Sequence, residues 1–235
     1  MEGKTHYIGG SIGAISGYIL LKENNMLLET VHPTLQFGMI YLAGVYGGMI
    51  PDADHHSGSN PLKDPVGVVF NKALHIFNKP YKRLDGMLSS QQKRNSLPYK
   101  LLSILRCTHR SWQTHSELTI AFLVYILYQL TTSDTSDPSV AVAVLMLVGL
   151  TLGVLSHLVL DLLTCEGINF AIGIIIKTFF PKVPIIETIR LVPKWHTFTT
   201  GSPYELTVRY SLNVIQYFLL GYAVLTMVGY SITTV

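Results

Sequence analysis

The sequence predicts an all-α fold, a polytopic integral membrane helical bundle with four to five transmembrane helices. Of its 235 residues, 49% are hydrophobic and only 13% are charged, and the mean hydropathy is +0.37. Five apolar stretches follow one another along the chain, and a membrane span needs about 20 apolar residues. No Gly/Ser-rich or charged linker divides them, so residues 1–235 are expected to form a single membrane-embedded domain.

The five stretches differ in length, and so in how well they fit a membrane span. They cover approximately residues 8–21, 35–50, 118–130, 140–164 and 206–232. The fourth and fifth are long enough to span. The first and third are short, so they are either extended by their flanks or re-entrant or buried. A further apolar piece, at about 168–180, is interpreted as an interfacial or half-inserted segment, and the first stretch is expected to be retained rather than cleaved as a signal.

The distribution of charge predicts the orientation in the membrane. The segment between the second and third stretches is rich in basic residues: Lys63, Lys72, Lys79, Lys82, Arg83, Lys93, Arg94, Lys100, Arg106 and Arg110. The connection 131–138 carries only acidic charge, and residues 182–194 are basic again. The positive-inside rule places the basic segments and the N-terminus in the cytoplasm and the C-terminus outside. On that cytoplasmic face, Cys107 and Cys165 are expected to be free thiols.

The basic segment has no nucleic-acid-binding motif and few interleaved aromatic residues. It is therefore interpreted as lying near anionic lipid head groups, so membrane lipids are the expected partners and nucleic acid is not.

Histidines and carboxylates mark alternating ends of the apolar stretches. His6 precedes the first stretch, Asp52 follows the second, and His115 precedes the third. His157 and Asp161 then end the fourth, and a glutamate precedes the fifth. In a chain that crosses a membrane back and forth, this order gathers all of them at one face. Such N/O donors suit zinc, manganese or iron.

Each group also has a simpler explanation when it is taken alone. His157 and Asp161 are four residues apart and share a helix face, which suits either a two-ligand metal clamp or a hydrogen-bonded pair that only packs helices. Asp52 and Asp54 follow Pro51, which is expected to end the second stretch, in an extended or turn segment. There they are either metal ligands or a solvated acidic turn. The adjacent His55 and His56 are possible further ligands.

The remaining candidates lie in loops and at helix starts. His109 and His115 are six residues apart in a loop leading into the third stretch, and Arg110 between them suits a phosphate or carboxylate oxygen. This loop is otherwise a polar segment at the interface. His6 precedes glycines at four-residue spacing, which allow close helix approach. Glu205 begins the last stretch, where a helix N-terminus favours a carboxylate in any case.

These candidate ligands exceed the needs of one tetrahedral ion, so two ions, or three at most, with bridging carboxylates are expected. Paired divalent ions activate water and clamp a phosphoryl or acyl oxygen. The predicted ligands are His6, Asp52, Asp54, His109, His115, His157, Asp161 and Glu205.

In order along the chain, these motifs resemble those of the predicted membrane-bound, metal-dependent hydrolases, whose bacterial prototype is a LexA-regulated inner-membrane protein. The resemblance runs through Thr5-His6, Pro51-Asp52-Ala53-Asp54-His55, His109-Arg110 with Thr114-His115-Ser116, Ser156-His157 with Asp161, Thr164 and Gly167, and Gly201 with Glu205. The spacing from His109 to His115 is one residue wider than in the common family form. The family is thought to be distantly similar to zinc-dependent phospholipase C.

The resemblance implies a metal-dependent phosphoester hydrolase in a bacterial or archaeal inner membrane, with zinc as the expected metal and a lipid or other phosphate ester as substrate. Arg110 would then steady phosphoryl charge, and Glu205 would either complete the metal shell or act as the base. Two alternatives stay open: a metal-ion or proton transporter, because intramembrane histidines and carboxylates also mark ion paths, and a non-catalytic membrane scaffold.

Overall fold

The structure is a computed structural model that describes residues 3–54, 65–107, 111, 113–164, 167–191 and 202–228. The chain is mostly helical there, which confirms the helical prediction in outline. The long helices are α1 (Gly3–Glu23), α2 (Pro33–Gly47), α7 (Glu117–Thr131), α8 (Pro138–Leu162) and α10 (Pro203–Met227). Each coincides with one of the five predicted apolar stretches.

The starts of α2, α8 and α10 follow one local rule. Each has proline at its first position, where the missing N–H costs no intrahelical hydrogen bond. The preceding residue caps each helix with its side chain. Asp137 accepts a hydrogen bond from the Ser139 N–H at 2.8 Å, and Ser202 accepts one from the Glu205 N–H at 3.2 Å. These signals, readable in the sequence, fix where the helices begin.

Helix α8 is the centre of the bundle. It packs against α1, α2 and α7, while α1 also packs against α2 and α10. Their common core consists of small and large apolar side chains: Ala14, Ile15, Tyr18, Ile40, Leu145 and Ala223. By contrast, no described residue of α7 is buried. Large apolar side chains of α10 are exposed, and that of Phe218 is 78% exposed. An outward apolar surface of this kind suits lipid rather than water.

Two of the described helices, α8 and α10, are long and apolar enough to cross a membrane by length and composition. At 1.5 Å per residue, the 25 residues of each extend for about 37 Å, which exceeds the hydrocarbon core of a bilayer. Helix α7 is apolar but shorter, with 15 residues.

Four short helices follow the second apolar stretch: α3 (Pro65–Leu74), α4 (Asn78–Met87), α5 (Ser90–Asn95) and α6 (Leu97–Leu105). Helix α4 packs on α6, and α6 reaches α9 (Ala171–Phe179), which lies within the predicted interfacial segment. Helix α9 is flanked by an antiparallel pair of two-residue strands, β1 (Ile168–Asn169) and β2 (Thr188–Ile189). The all-α prediction missed these strands.

The helix boundaries differ from the apolar stretches in two places. His6 precedes the first stretch but lies inside α1, because the helix begins at Gly3. Helix α2 ends at Gly47, before the end of the second stretch, and the predicted extended or turn segment contains a 3-10 helix, Pro51–Asp54. Proline suits the first position of this new helical turn, since its fixed φ is already helical.

Candidate metal centre

Five predicted ligands meet at one end of the bundle. His6 comes from α1, Asp52 from the 3-10 helix after α2, His115 from the loop before α7, and His157 and Asp161 from the last turns of α8. The three imidazoles and Asp161 are at most 1% exposed, and Asp52 is 8% exposed. Buried ionisable groups are costly unless they have partners, so their convergence from four chain segments requires an explanation.

Close backbone approach brings these groups together. Helices α1, α2 and α8 meet along a seam of glycines: Gly10, Gly44, Gly48, Gly149 and Gly153. A Cβ atom on Gly48 would overlap the His6 carbonyl oxygen at 2.6 Å. Because only glycine allows this approach, the seam sets the separation between His6 on α1 and the residues that follow α2.

The hydrogen bonds of two histidines determine which ring nitrogens face the centre. The His157 Nδ1 lies 2.7 Å from the Gly48 carbonyl oxygen, which only accepts, so Nδ1 carries the proton. The His115 Nδ1 lies 2.9 Å from the Thr114 hydroxyl, which itself donates to the Ser111 carbonyl. Both Nε2 atoms therefore present lone pairs, as in metal-binding histidines whose other nitrogen is held by a hydrogen bond.

Those two lone pairs face each other across 3.3 Å. Asp161 Oδ2 lies 3.5 Å from the His115 Nε2 and 3.4 Å from the His157 Nε2. Asp52 Oδ1 lies 3.8 Å from each of the same two nitrogens. Four ligand atoms about 2.0–2.1 Å from a zinc ion form a tetrahedron with edges of about 3.3–3.4 Å. The spacing of the His115, His157 and Asp161 donors thus fits a divalent ion, and a cation would remove the repulsion between the facing lone pairs.

His6 extends the cluster on the other side of Asp161. Its ring stacks on that of His157, with centroids 3.7 Å apart and an interplanar angle of 17°. Its Nε2 lies 3.5 Å from Asp161 Oδ1, the oxygen that does not face His115. His6, Asp52 and His157 also form a second group of donors close enough to hold an ion. The two carboxylate oxygens of Asp161 therefore face different imidazoles, as a bridging ligand would require.

Electrostatics favour the ionised form of Asp52. Burial alone would raise the pKa of this carboxyl, but in the metal-free protein a hydrogen bond from a protonated His115 ring and positive charge on the His157 ring lower it well below its ordinary value. A bound cation would act on the carboxylate in the same direction.

Glu205 stands beside the cluster and in neither donor group. It lies in the first turn of α10, is 1% exposed, and accepts a hydrogen bond of 2.9 Å from the Thr5 hydroxyl. Thr5 directly precedes His6, so Glu205 is connected to the cluster through α1.

The remaining predicted ligands are not placed by the structure. Asp54 belongs to the 3-10 helix, but its side chain lies outside the described residues, as do His109, Arg110 and His55 and His56. The prediction that His109 and His115 share an ion therefore stays a prediction.

Sequence reasoning named Thr5 and Thr114 only as members of the histidine motifs and did not predict the contacts that they make. Thr5 and Thr114 each directly precede a predicted histidine, and that adjacency was the available signal. The Gly48 carbonyl gave no signal, since a backbone acceptor has no residue-type signature. Glu117, which binds the start of α9, was also missed; its carboxylate accepts hydrogen bonds from the N–H groups of Ala171 and Ile172.

Together the fold and the cluster define a helical membrane protein with a buried histidine–aspartate centre at the helix ends. Residues 1–234 match the family model described as YdjM inner membrane protein, and the chain belongs to that family. No curated protein and no solved structure matches the chain. The inner-membrane family and a membrane location are thereby confirmed, whereas hydrolase activity and the similarity to zinc-dependent phospholipase C stay predictions.

Proposed function

We propose that the protein is a membrane-bound, metal-dependent hydrolase that cleaves a phosphoester of a lipid or another membrane-associated substrate. The observation that carries the proposal is the convergence of two imidazole lone pairs and two carboxylate oxygens at 3.3–3.8 Å separations. His115, His157, Asp161 and Asp52 would hold one divalent ion, and His6 with the second oxygen of Asp161 would contribute to another. Zinc suits this donor set best, and manganese or iron would also fit.

A divalent ion in such a site supplies an activated water and polarises a phosphoryl oxygen. The protein residues orient the ligands: Gly48 and Thr114 fix the tautomers of His157 and His115. We assign Glu205, whose carboxylate accepts a hydrogen bond from Thr5 next to His6, to take a proton or to complete the coordination shell. We assign Arg110 to the developing negative charge on phosphorus, because its guanidinium binds phosphate bidentately.

The proposed setting is a polytopic bundle of four to five spans with the centre at the cytoplasmic face. The five long helices end or begin at the cluster in alternating order, as expected if each crosses the bilayer. Basic residues are concentrated in the segments on the same side as the cluster. A centre at a bilayer surface is reached directly by head groups, which supports a lipid-borne phosphate ester as substrate.

The distribution of ionisable groups favours hydrolysis over transport. An ion path needs ionisable groups on both sides of the bilayer midplane. Residues 138–156 of α8 contain none, although this is the central helix of the bundle. The cluster is therefore confined to one end of α8.

The test combines metal content with hydrolysis. Detergent-purified protein is loaded with zinc or manganese, and metal is quantified by elemental analysis. Phosphate release is then measured from phosphatidic acid and a polyprenyl phosphate. We expect bound metal and phosphate release in the wild type, and loss of both in Asp161→Ala and His115→Gln.

Asp85→Asn is the matched control, because Asp85 is a half-exposed residue of α4 that pairs with Lys93 of α5, away from the cluster. It should retain metal and activity. Bound metal without phosphate release from any lipid would reject the hydrolase and keep the metal site. Absence of metal in the loaded wild type would reject both the hydrolase and the metal site. Metal uptake into proteoliposomes would favour a transporter instead.

A further inference from the structure

The start of α7, which closely follows the candidate ligand His115, is fixed by few packing contacts. No described residue of α7 is buried, so packing against a core does little to fix this helix. Yet His115, two residues before its first turn, is fully buried and points into the cluster. Its position must therefore depend on contacts other than the packing of α7.

Those contacts come from the segment around β1. The Asn169 N–H donates to the His115 carbonyl oxygen at 2.9 Å, and Ser116 forms a parallel bridge with Asn169. The carboxylate of Glu117, two residues after His115, accepts hydrogen bonds from the N–H groups of Ala171 at 3.0 Å and Ile172 at 3.1 Å. Backbone and side chain together tie residues 115–117 to residues 169–172.

The Glu117 contact also fills a gap at the start of α9. The first N–H groups of a helix lack intrahelical acceptors, and the residue before α9, Phe170, provides no side-chain cap. Glu117 supplies both acceptors from another helix, and its negative charge is favourable at a helix N-terminus. The Glu117 carboxylate thus accepts two hydrogen bonds. The amide of a glutamine could accept only part of them, and the methyl group of an alanine could accept none.

We infer that Glu117 is a positioning residue for the metal centre: by binding the N-terminus of α9, it holds His115 at the distance and angle at which its Nε2 faces His157 and Asp161. The inference rests on the proposed metal site for its function. The clamp itself has a consequence in the metal-free protein, because His115 becomes accessible when residues 115–117 come loose.

The first measurement uses cobalt(II) as a spectroscopic probe of the full-length protein. We expect Glu117→Ala to shift the visible ligand-field spectrum and to weaken cobalt binding about ten-fold or more, as loss of an outer-shell partner does. Glu117→Gln keeps one acceptor oxygen and should lie between Glu117→Ala and the wild type. Glu29→Ala, which removes an exposed carboxylate beyond the opposite end of α1, should leave the spectrum unchanged.

The second measurement needs no metal. Diethylpyrocarbonate modification of each histidine is followed by mass spectrometry in metal-free protein, with the exposed His32 as internal reference. Glu117→Ala should raise the modification rate of His115 several-fold, while that of His157 stays low.

The outcomes separate the inference from the proposed function. A wild type that binds no cobalt would reject the metal site, and the modification rates would still decide whether Glu117 holds His115. Equal rates at His115 in Glu117→Ala and wild type, or an unchanged cobalt spectrum with unchanged affinity, would overturn the inference. A lower melting temperature with neither change would mark Glu117 as merely stabilising.

Discussion

At the scale of single residues, the cluster depends on the hydrogen bond that each imidazole makes through the ring nitrogen facing away from the centre. A histidine in a pocket has two tautomers, and only one of them presents a lone pair to an ion. In His157 the choice is made by a backbone carbonyl, and in His115 by the Thr114 hydroxyl. The side-chain contact can be altered by mutation, which makes Thr114 the more informative position.

We expect Thr114→Val to lower metal affinity about 10–100-fold, since it removes the hydrogen-bond acceptor that orients the His115 ring while nearly preserving volume. Thr114→Ser keeps the hydroxyl and should bind metal nearly as the wild type does. The measurement is competition with a chelator of known affinity. Unchanged affinity in Thr114→Val would contradict the role of the hydroxyl, and weakening in Thr114→Ser alone would show that the threonine methyl group matters instead.

The candidate ligands could be read from the sequence because their residue types are distinctive and their spacing is local. His157 and Asp161 share a helix face whatever the rest of the fold does. The supports could not be read in this way: Gly48 is 109 residues from His157, and Thr5 is 200 residues from Glu205. Such pairs become neighbours only through the packing of helices.

At the scale of elements, the glycine seam decides how α1, α2 and α8 meet. The four-residue spacing of Gly9, Gly13 and Gly17 predicts close approach by α1, and the structure confirms it: a Cβ on Gly13 would lie 2.9 Å from the Leu152 carbonyl oxygen. The matching glycines of α2 and α8 were not predicted as part of this contact, since the partner of a small-residue face is unknown until helices are paired.

Gly153→Ala should destabilise the protein by about 1–3 kcal/mol, because its methyl group would overlap the Gly44 carbonyl oxygen on α2 and overpack the contact. It should also weaken metal binding, since the Gly48 acceptor directly follows α2. Gly221→Ala is the control, as a Cβ there meets nothing within 4 Å among the described residues. Thermal unfolding in detergent compares the two variants. An equal melting temperature for both would contradict the prediction that close packing at Gly153 stabilises the fold.

At the scale of the whole molecule, hydropathy predicted the five long helices but not the layer of short ones. Helices α3 to α6 and the strand pair follow from local caps such as Ser89, whose hydroxyl accepts the Gln92 N–H, and from pairing between distant segments. The membrane environment is sufficient to predict long apolar helices, because every backbone polar group there must be satisfied internally. Outside the hydrocarbon core that constraint no longer applies.

The predicted orientation places the N-terminus in the cytoplasm and the C-terminus outside. We expect a C-terminal alkaline phosphatase fusion to be active and a C-terminal green fluorescent protein fusion to be dark, with the opposite results for a fusion within the segment 88–96. Fluorescence from the C-terminal fusion would contradict an odd number of spans. Substituting the basic residues of α4 tests whether charge bias sets the orientation.

The glycine seam also limits the routes by which ions, water and head groups can reach the buried centre. Where the glycine backbones touch, no side chain can rotate aside to open a path between the helices. Helix α7 packs mainly on α8, and α10 mainly on α1. We therefore expect ions, water and head groups to enter beside the outer helices α7 and α10 rather than through the glycine seam.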